Sequence, residues 1–443
     1  MTDSPSPGAD TSGDSYLPSH GNGGYRVRHY DLDLDYRLVA NRLAGTATIT
    51  AIATATLSRF SLDLSGFKIG RVLVDQRQAR YSQRAAKLTV RPARAIPSGA
   101  EFTVSIRYSG NPRPIGTRYW GDVGWDELAD GAIVASQPVG APTWFPCDDH
   151  PSAKASYRLS LTTSSAYSVL ATGELVSARR AASTTTWVYE RQEPTASYLM
   201  GVYIGRYTEL RFGDRVRVAV PARLRDEAGA GFARQAEMLA VLSRYFGPYP
   251  FAEYVVVVTD DELDDPIEAQ GMAVFGANHV DGTDGTERLA VHELAHQWFG
   301  NSLTVADWRH IWLNEGFATY AEWLWSEETG GPSAEALARR WHRVLSGRTE
   351  APSIGDPGVA HMFDERVYKG GALTLHALRG ELGDAVFFAL LRDWAGTHRH
   401  GTVTTEAFVA LAETHAAHAG RALTGFFAAW LTGPALPPLP ALS

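Results

Sequence analysis

The chain has 443 residues, enough for two or three domains with real cores, and its 44% apolar and 20% charged residues describe an ordinary globular protein. The net charge of −8 argues against nucleic acid as a main partner and suits a cleft that attracts amines. The single cysteine, Cys147, excludes an internal disulfide, and no run of about 18 apolar residues offers a membrane span, so a cytoplasmic protein with no membrane partner is expected.

Residues 1–20 are rich in Ser, Pro, Gly and Asp, with neither a basic start nor an apolar centre. They read as a disordered tail rather than a signal peptide or anchor. Alternation begins at Tyr25. Tyr30, Leu32, Leu34 and Tyr36 share one face, and Asp31, Asp33 and Asp35 share the other, as in a half-buried strand whose acids form a solvated face rather than a metal site. The pattern recurs at 46–57, 60–64 and 102–108, with turn clusters such as 109–112 between. Residues 21–210 therefore read as an antiparallel β domain. The stretch 136–151 interrupts it, because Pro138, Gly140 and Pro142 impose irregular geometry. Cys147 lies there and reads as a structural thiol, since no basic cluster adjoins it. Strands resume at 157–162, 186–189 and 198–207, and the domain boundary is expected near 211–214.

The period then changes. Residues 230–246 have helical spacing, with Phe232, Met238, Leu239 and Leu242 on one side, and 254–258 is a β run. The stretch 291–300 contains H-E-x-x-H. On a helix, His292 and His296 lie one turn apart on one face and can grip one metal ion, while Glu293 can reach a water on that metal. Thr286 is a candidate N-cap, Glu287 lies in the first turn, and Gly300 is a natural stop. Eighteen residues separate His296 from Glu315, room to turn through 300–302 and return on a second helix with Glu315 as third ligand. Two histidines, one carboxylate and an open fourth position describe a catalytic zinc site, one ion per chain. Glu322, seven residues past Glu315 on much the same face, can accept from a ligand histidine and fix its tautomer. Trp298, Trp308, Trp312, Trp323 and Trp325 read as core and cleft packing. Helices continue to Trp430, and 437–443 reads as a tail.

The wordings H-E-L-A-H-Q-W-F-G-N and W-L-N-E-G-F-A-T-Y resemble those of the gluzincin aminopeptidases, the family of aminopeptidase N and the leukotriene hydrolase. The resemblance covers about 25–435. It implies an α+β chain: an N-terminal antiparallel β domain, then a thermolysin-like, mainly helical zinc peptidase domain at 211–436. It also implies further site residues. Gln137 stands in a segment similar to the one before the family's F-P-C-x-D-x-P, whose glutamine lies in the substrate cleft; the family's D-A-R is replaced by Gly140-Ala141-Pro142. The family's G-A-M-E-N is altered, and two registers compete. One matches Met272 to the family's Met and makes Ala273 the lost glutamate. The other matches 267–271 to M-E-N-P-G, keeps Glu268 and the following glycine, and is preferred. Glu268, helped by Gln137, would then hold a substrate's α-ammonium group. Tyr368 matches the transition-state tyrosine of Y-x-K-G-A, with Gly370 in place of the lysine. Many relatives continue into a large helical domain for which this chain has no residues, so a more open cleft, or one closed by another subunit, is expected. The activity implied is that of a zinc metalloaminopeptidase acting on peptides with free N-termini, with Glu293 as general base. An endopeptidase with a weakened anchor, a non-peptidase hydrolase and a silent binding relative are the rivals.

Overall fold

Strict alternation at the start of the first half does what a pleat requires. In the strand Tyr25–Arg37 the side chains of Tyr30, Leu32, Leu34 and Tyr36 are buried, and the three aspartates occupy the other face, where Asp31 pairs with Arg158 at 3.0 Å. The computed structural model describes residues 5–280, 284–348 and 351–440. The strand is central to an eight-stranded sheet, in the order Glu174–Ala181, Thr184–Thr195, Ala155–Ser164, Tyr25–Arg37, Arg42–Ala53, Glu101–Gly110, Lys68–Val74, Arg77–Gln78. Neighbours are antiparallel except Tyr25–Arg37 and Ala155–Ser164, which run parallel, a pairing that a long intervening stretch of chain permits. A smaller sheet containing Asp122–Leu128, Gly131–Ala135 and Val202–Gly205 packs into the same core through Trp125, Val134 and Ile204.

The second half is built on another sheet, ordered Tyr207–Phe212, Val216–Pro221, Tyr254–Val258, Met272–Phe275, Ile267–Ala269. Tyr207–Phe212 thus belongs to the second sheet, a few residues earlier than the expected boundary. Tyr254–Val258 is buried along its whole length, as expected of a central valine-rich strand. Eight α-helices follow among the described residues: α1 (Arg225–Gly231), α2 (Gln235–Phe246), α3 (Asp284–Ala295), α4 (Trp312–Glu328), α5 (Ala334–Ser346), α6 (Glu365–Leu382), α7 (Asp384–Thr397) and α8 (Thr405–His418). The expected helix over 230–246 is broken at 232–234, where Phe232 drops into the core against Phe275. The five tryptophans named above are all buried.

Residues 1–4 lie outside the described residues, and the described parts of the two segments read as tails behave differently from that reading. Residues 5–24 form a strap along both halves. Ser6 and Pro7 pair with Leu57 and Arg59. Asp14, 3% exposed, accepts from the amides of Tyr16 and Leu17 at 2.8 Å and from that of Trp308 at 3.1 Å. Ser15 bonds Asp307, Tyr16 bonds Asp356, His20 lies 3.0 Å from Asp149, and the Asn22 amide donates to Asp148 at 2.7 Å. Low hydrophobicity signals disorder only when nothing satisfies the polar groups; here acids and amides of both halves do so. At the other end, Leu439 packs against the core of the second half and the Pro437 carbonyl lies 2.7 Å from His342, while 441–443 lie outside the described residues.

Candidate metal centre

α3 carries His292 and Glu293. His296 continues its last turn, its amide still bonded to the His292 carbonyl at 3.2 Å. The helix begins at Asp284, so Thr286 lies within its first turn and does not cap it; its hydroxyl donates instead to the His279 carbonyl at 2.8 Å. The chain reverses at Gly300, whose φ of +121° is a conformation open to glycine at little cost. α4 then returns Glu315 to the same place.

His292 Nε2 and His296 Nε2 each lie 3.5 Å from Glu315 Oε2. The other ring nitrogens are occupied. His292 Nδ1 stands 2.8 Å from Glu322 Oε1, and His296 Nδ1 stands 3.1 Å from the Phe299 carbonyl. Those oxygens can only accept, so both Nδ1 atoms carry protons and both Nε2 atoms are turned to Glu315, where a proton or a metal ion can sit between them and the carboxylate. The donor set of His292, His296 and Glu315 is mutually within 4.8 Å and fully buried. It suits a divalent cation that takes nitrogen and oxygen together, and zinc fits it. Charge agrees. Burial works against a cation on His296, yet Glu268 and Glu315 pull its affinity for a proton well above the ordinary range, and they would pull equally on a metal ion.

The Glu322 carboxylate is held from three sides. Burial opposes its charge, but the His292 contact, Lys369 and Arg288 hold it down at about 2. Lys369 Nζ is 3.4 Å and Arg288 Nη1 3.3 Å from Oε2. Neither cation was singled out from the sequence. Arg288 lies four residues before His292, the one-turn spacing that could have pointed to it, and Lys369 follows Tyr368.

Glu293 is 4% exposed, and its Oε2 has no hydrogen-bond partner among the described residues. Burial pushes its carboxyl up to about 7. Glu268 joins Glu293 and His296 in a second buried cluster, and Gln137 Nε2 donates to Glu268 Oε1 at 2.9 Å. Burial raises the Glu268 carboxyl as well, against the pull of His296. Of the two registers weighed, Glu268 is the one that reaches the centre. Ala273 sits opposite it across the strand pair, buried in the core. Gln297 and Asn301, which sequence reasoning passed over, fix this geometry. Gln297 accepts from Gly271 N at 2.7 Å and donates to the Ala269 and Met272 carbonyls, and Asn301 donates to the Ala269 carbonyl at 2.9 Å.

Tyr368 stands in the first turns of α6, its ring stacked on His292 with centroids 5.9 Å apart. Burial and then Glu315 raise its phenol well above the ordinary value, so it stays a proton donor. α4 and α6 touch backbone to backbone: a Cβ on Gly316 would lie 2.8 Å from Gly371 Cα. Cys147 is buried, and burial raises its thiol, as a structural role requires. No helix among the described residues is long and apolar enough to cross a membrane.

With this geometry in hand, comparison with known proteins is informative. Residues 231–430 match the peptidase family M1 domain, and residues 27–199 match the peptidase M1 N-terminal domain. An M1 zinc metallopeptidase from Deinococcus radiodurans has a similar structure, with a TM-score of 0.85 and 32% identity over 98% of this chain and 100% of that one. A mutant of an M1 zinc metallopeptidase from the same organism, bound to a Tyr-Ser-Ala substrate, gives a TM-score of 0.87, again at 32% identity, over 98% and 100%. Among sequences, Aminopeptidase M1 of Arabidopsis thaliana is 25% identical over 308 residues, which is 63% of this chain and 34% of the relative. Aminopeptidase 2, mitochondrial, of Saccharomyces cerevisiae is 24% identical over 417 residues, 85% of this chain and 43% of the relative. The chain thus spans less than half the length of these curated relatives.

Proposed function

Since the chain belongs to the M1 family of zinc metallopeptidases, we propose that it is an aminopeptidase that releases residues from the free amino end of peptides, with one zinc ion held by His292, His296 and Glu315. The observation that carries this reading is Glu268: a buried carboxylate, anchored by Gln137 and sharing a cluster with Glu293 and His296. A substrate ammonium group supplies the charge-assisted hydrogen bonds that such a carboxylate favours, and it sets the scissile bond one residue from the amino end.

The ion's contribution is Lewis acidity, which lets a water ionise near neutral pH and draws electron density from a carbonyl oxygen. The chain's own groups do the rest. Glu293, with a free buried oxygen, takes a proton from the attacking water and returns it to the leaving amine. Tyr368 keeps its phenolic proton and donates it as a hydrogen bond to the developing oxyanion, worth about 3 kcal/mol if typical. Glu322, fixed by Lys369 and Arg288, holds the His292 tautomer. The single buried thiol suits a reducing compartment, and we place the activity in the cytoplasm.

A paired assay tests the reading. One peptide carries a free amino end and its twin is acetylated. Release of the first residue from the free peptide alone is the expected result. Internal cleavage of both would make the protein an endopeptidase, and cleavage of neither by zinc-loaded protein would remove the hydrolase reading.

A further inference from the structure

Part of the β domain carries a charge opposite to the chain as a whole. Between residues 66 and 118 stand eleven lysines and arginines against two acids, Asp75 and Glu101, inside a chain of net charge −8. All of these cations are exposed except Lys87, which pairs with Asp63.

Lys68 and Arg113 of that segment, joined by Arg42, line one depression of about 400 Å³, completed by Gly66, Ser109, Gly110 and Asn111. Arg42 opens the strand Arg42–Ala53, Lys68 opens Lys68–Val74, and Arg113 follows Glu101–Gly110, so the three reach the depression from three chain segments. No carboxylate lines it. Among the described residues, none of the three cations has a hydrogen-bond or ion-pair partner. The walls are fixed by other bonds: Asn111 Nδ2 donates to the carbonyls of Ala40 and Asn41 at 3.1 and 2.7 Å. The floor is open, because a Cβ on Gly66 would meet nothing within 4 Å.

Converging like charges repel, and an anion seated among them turns the repulsion into attraction. A carboxylate offers two oxygens and one charge. A phosphate group offers more oxygens, up to two charges, and a shape that guanidinium forks grip from several sides while lysine serves as a point charge. We propose that Arg42, Lys68 and Arg113 form a binding site for a phosphate-bearing anion on the β domain, separate from the metal centre. The chemistry is shared by a free phosphate and a phospholipid headgroup.

The test uses the zinc-loaded full chain. Inorganic phosphate is titrated calorimetrically, and co-sedimentation is measured with vesicles of phosphatidylcholine mixed with phosphatidic acid. Saturable binding of either probe is expected, weakened about tenfold by Arg42→Ala and again by Arg113→Ala. Binding of phosphate identifies a free-anion site, and binding of the vesicle alone identifies a headgroup site. Arg84→Ala and Arg91→Ala, elsewhere in the basic segment, should leave binding unchanged. The residues are exposed, so each variant should keep the parent's melting temperature. No binding of either probe, or equal losses in the control variants, would overturn the proposal, the latter by showing only a diffuse basic field.

Discussion

Glu293 has an oxygen without a hydrogen-bond partner among the described residues, beside two histidines whose outer nitrogens are already occupied. Replacing it with glutamine preserves shape and removes the proton acceptor. Glu293→Gln should therefore retain zinc, measured by metal analysis after dialysis, while turnover falls by about 10²- to 10⁴-fold. Normal turnover would remove Glu293 from the reaction. Glu268 answers a different question. Glu268→Ala should raise KM for free-amine substrates by about tenfold or more with zinc content unchanged, since one charge-assisted contact is lost. Unchanged kinetics would mean that the ammonium is held elsewhere. The grouping of His292, His296 and Glu315 was legible because their spacing is local: four residues on one helix, then one reversal. Lys369 was not, because a contact between α6 and α4 leaves no period in either segment, and Arg288 shows only its one-turn spacing from His292, which does not name Glu322 as its partner.

Elements set how far such residues can drift. Gln297 ties the turn after Glu268 to the segment that carries His296, through one bond accepted from Gly271 and two donated to Ala269 and Met272. Gln297→Leu keeps the bulk, leaves the buried Gly271 amide unpaired and takes one bond from each of the Ala269 and Met272 carbonyls, the first of which Asn301 still holds. It should cost about 1–3 kcal/mol per unpaired group in denaturant unfolding, less where water enters, and raise KM because Glu268 shifts with its turn. A variant with parental stability would show that the turn holds itself. The strands Tyr25–Arg37, Glu101–Gly110, Ala155–Ser164 and Tyr254–Val258 and the two helices around the metal centre could be read from alternation and helical period, whereas the strand order could not. The start of α3 could not: which residue caps a helix depends on where the chain enters, and Thr286 faces the His279 carbonyl instead. The break between α1 and α2 was hidden for a related reason, since Phe232 fits a helical face on paper and a tertiary pocket in fact.

At the scale of the molecule, two features govern cohesion. At the metal centre, Glu315 from α4 and the pair Glu268 and Glu293, from the strand Ile267–Ala269 and α3, belong to two buried clusters that share His296. Removing zinc with a chelator should lower the melting temperature, since binding to the folded state alone stabilises it, and the shift should grow with added zinc. The strap over residues 5–24 is the other. Burial disfavours the His20 cation, but the Asp149 contact outweighs it and raises the imidazole above its ordinary value of 6.5. The folded state therefore binds more protons than the unfolded chain; the pair's contribution is complete below about pH 6.5 and is lost as pH rises through the raised value. Amide protection across 14–24, corrected for intrinsic exchange, should fall between about pH 6 and about pH 8, and His20→Gln should abolish that change. The composition of this segment concealed it, because its partners are single polar groups scattered over the whole chain.

The strap also has a history within each molecule. During synthesis, Asp10, His20 and Asn22 meet Arg59, Asp63, Asp148 and Asp149 as soon as the β domain emerges. Asp14 and Ser15 must wait until Trp308 and Asp307, more than 290 residues later, have left the ribosome. A segment made before the β domain thus completes its contacts only after the chain around Trp308 has been made, and the Asp14 and Ser15 bonds to the second half are absent until then.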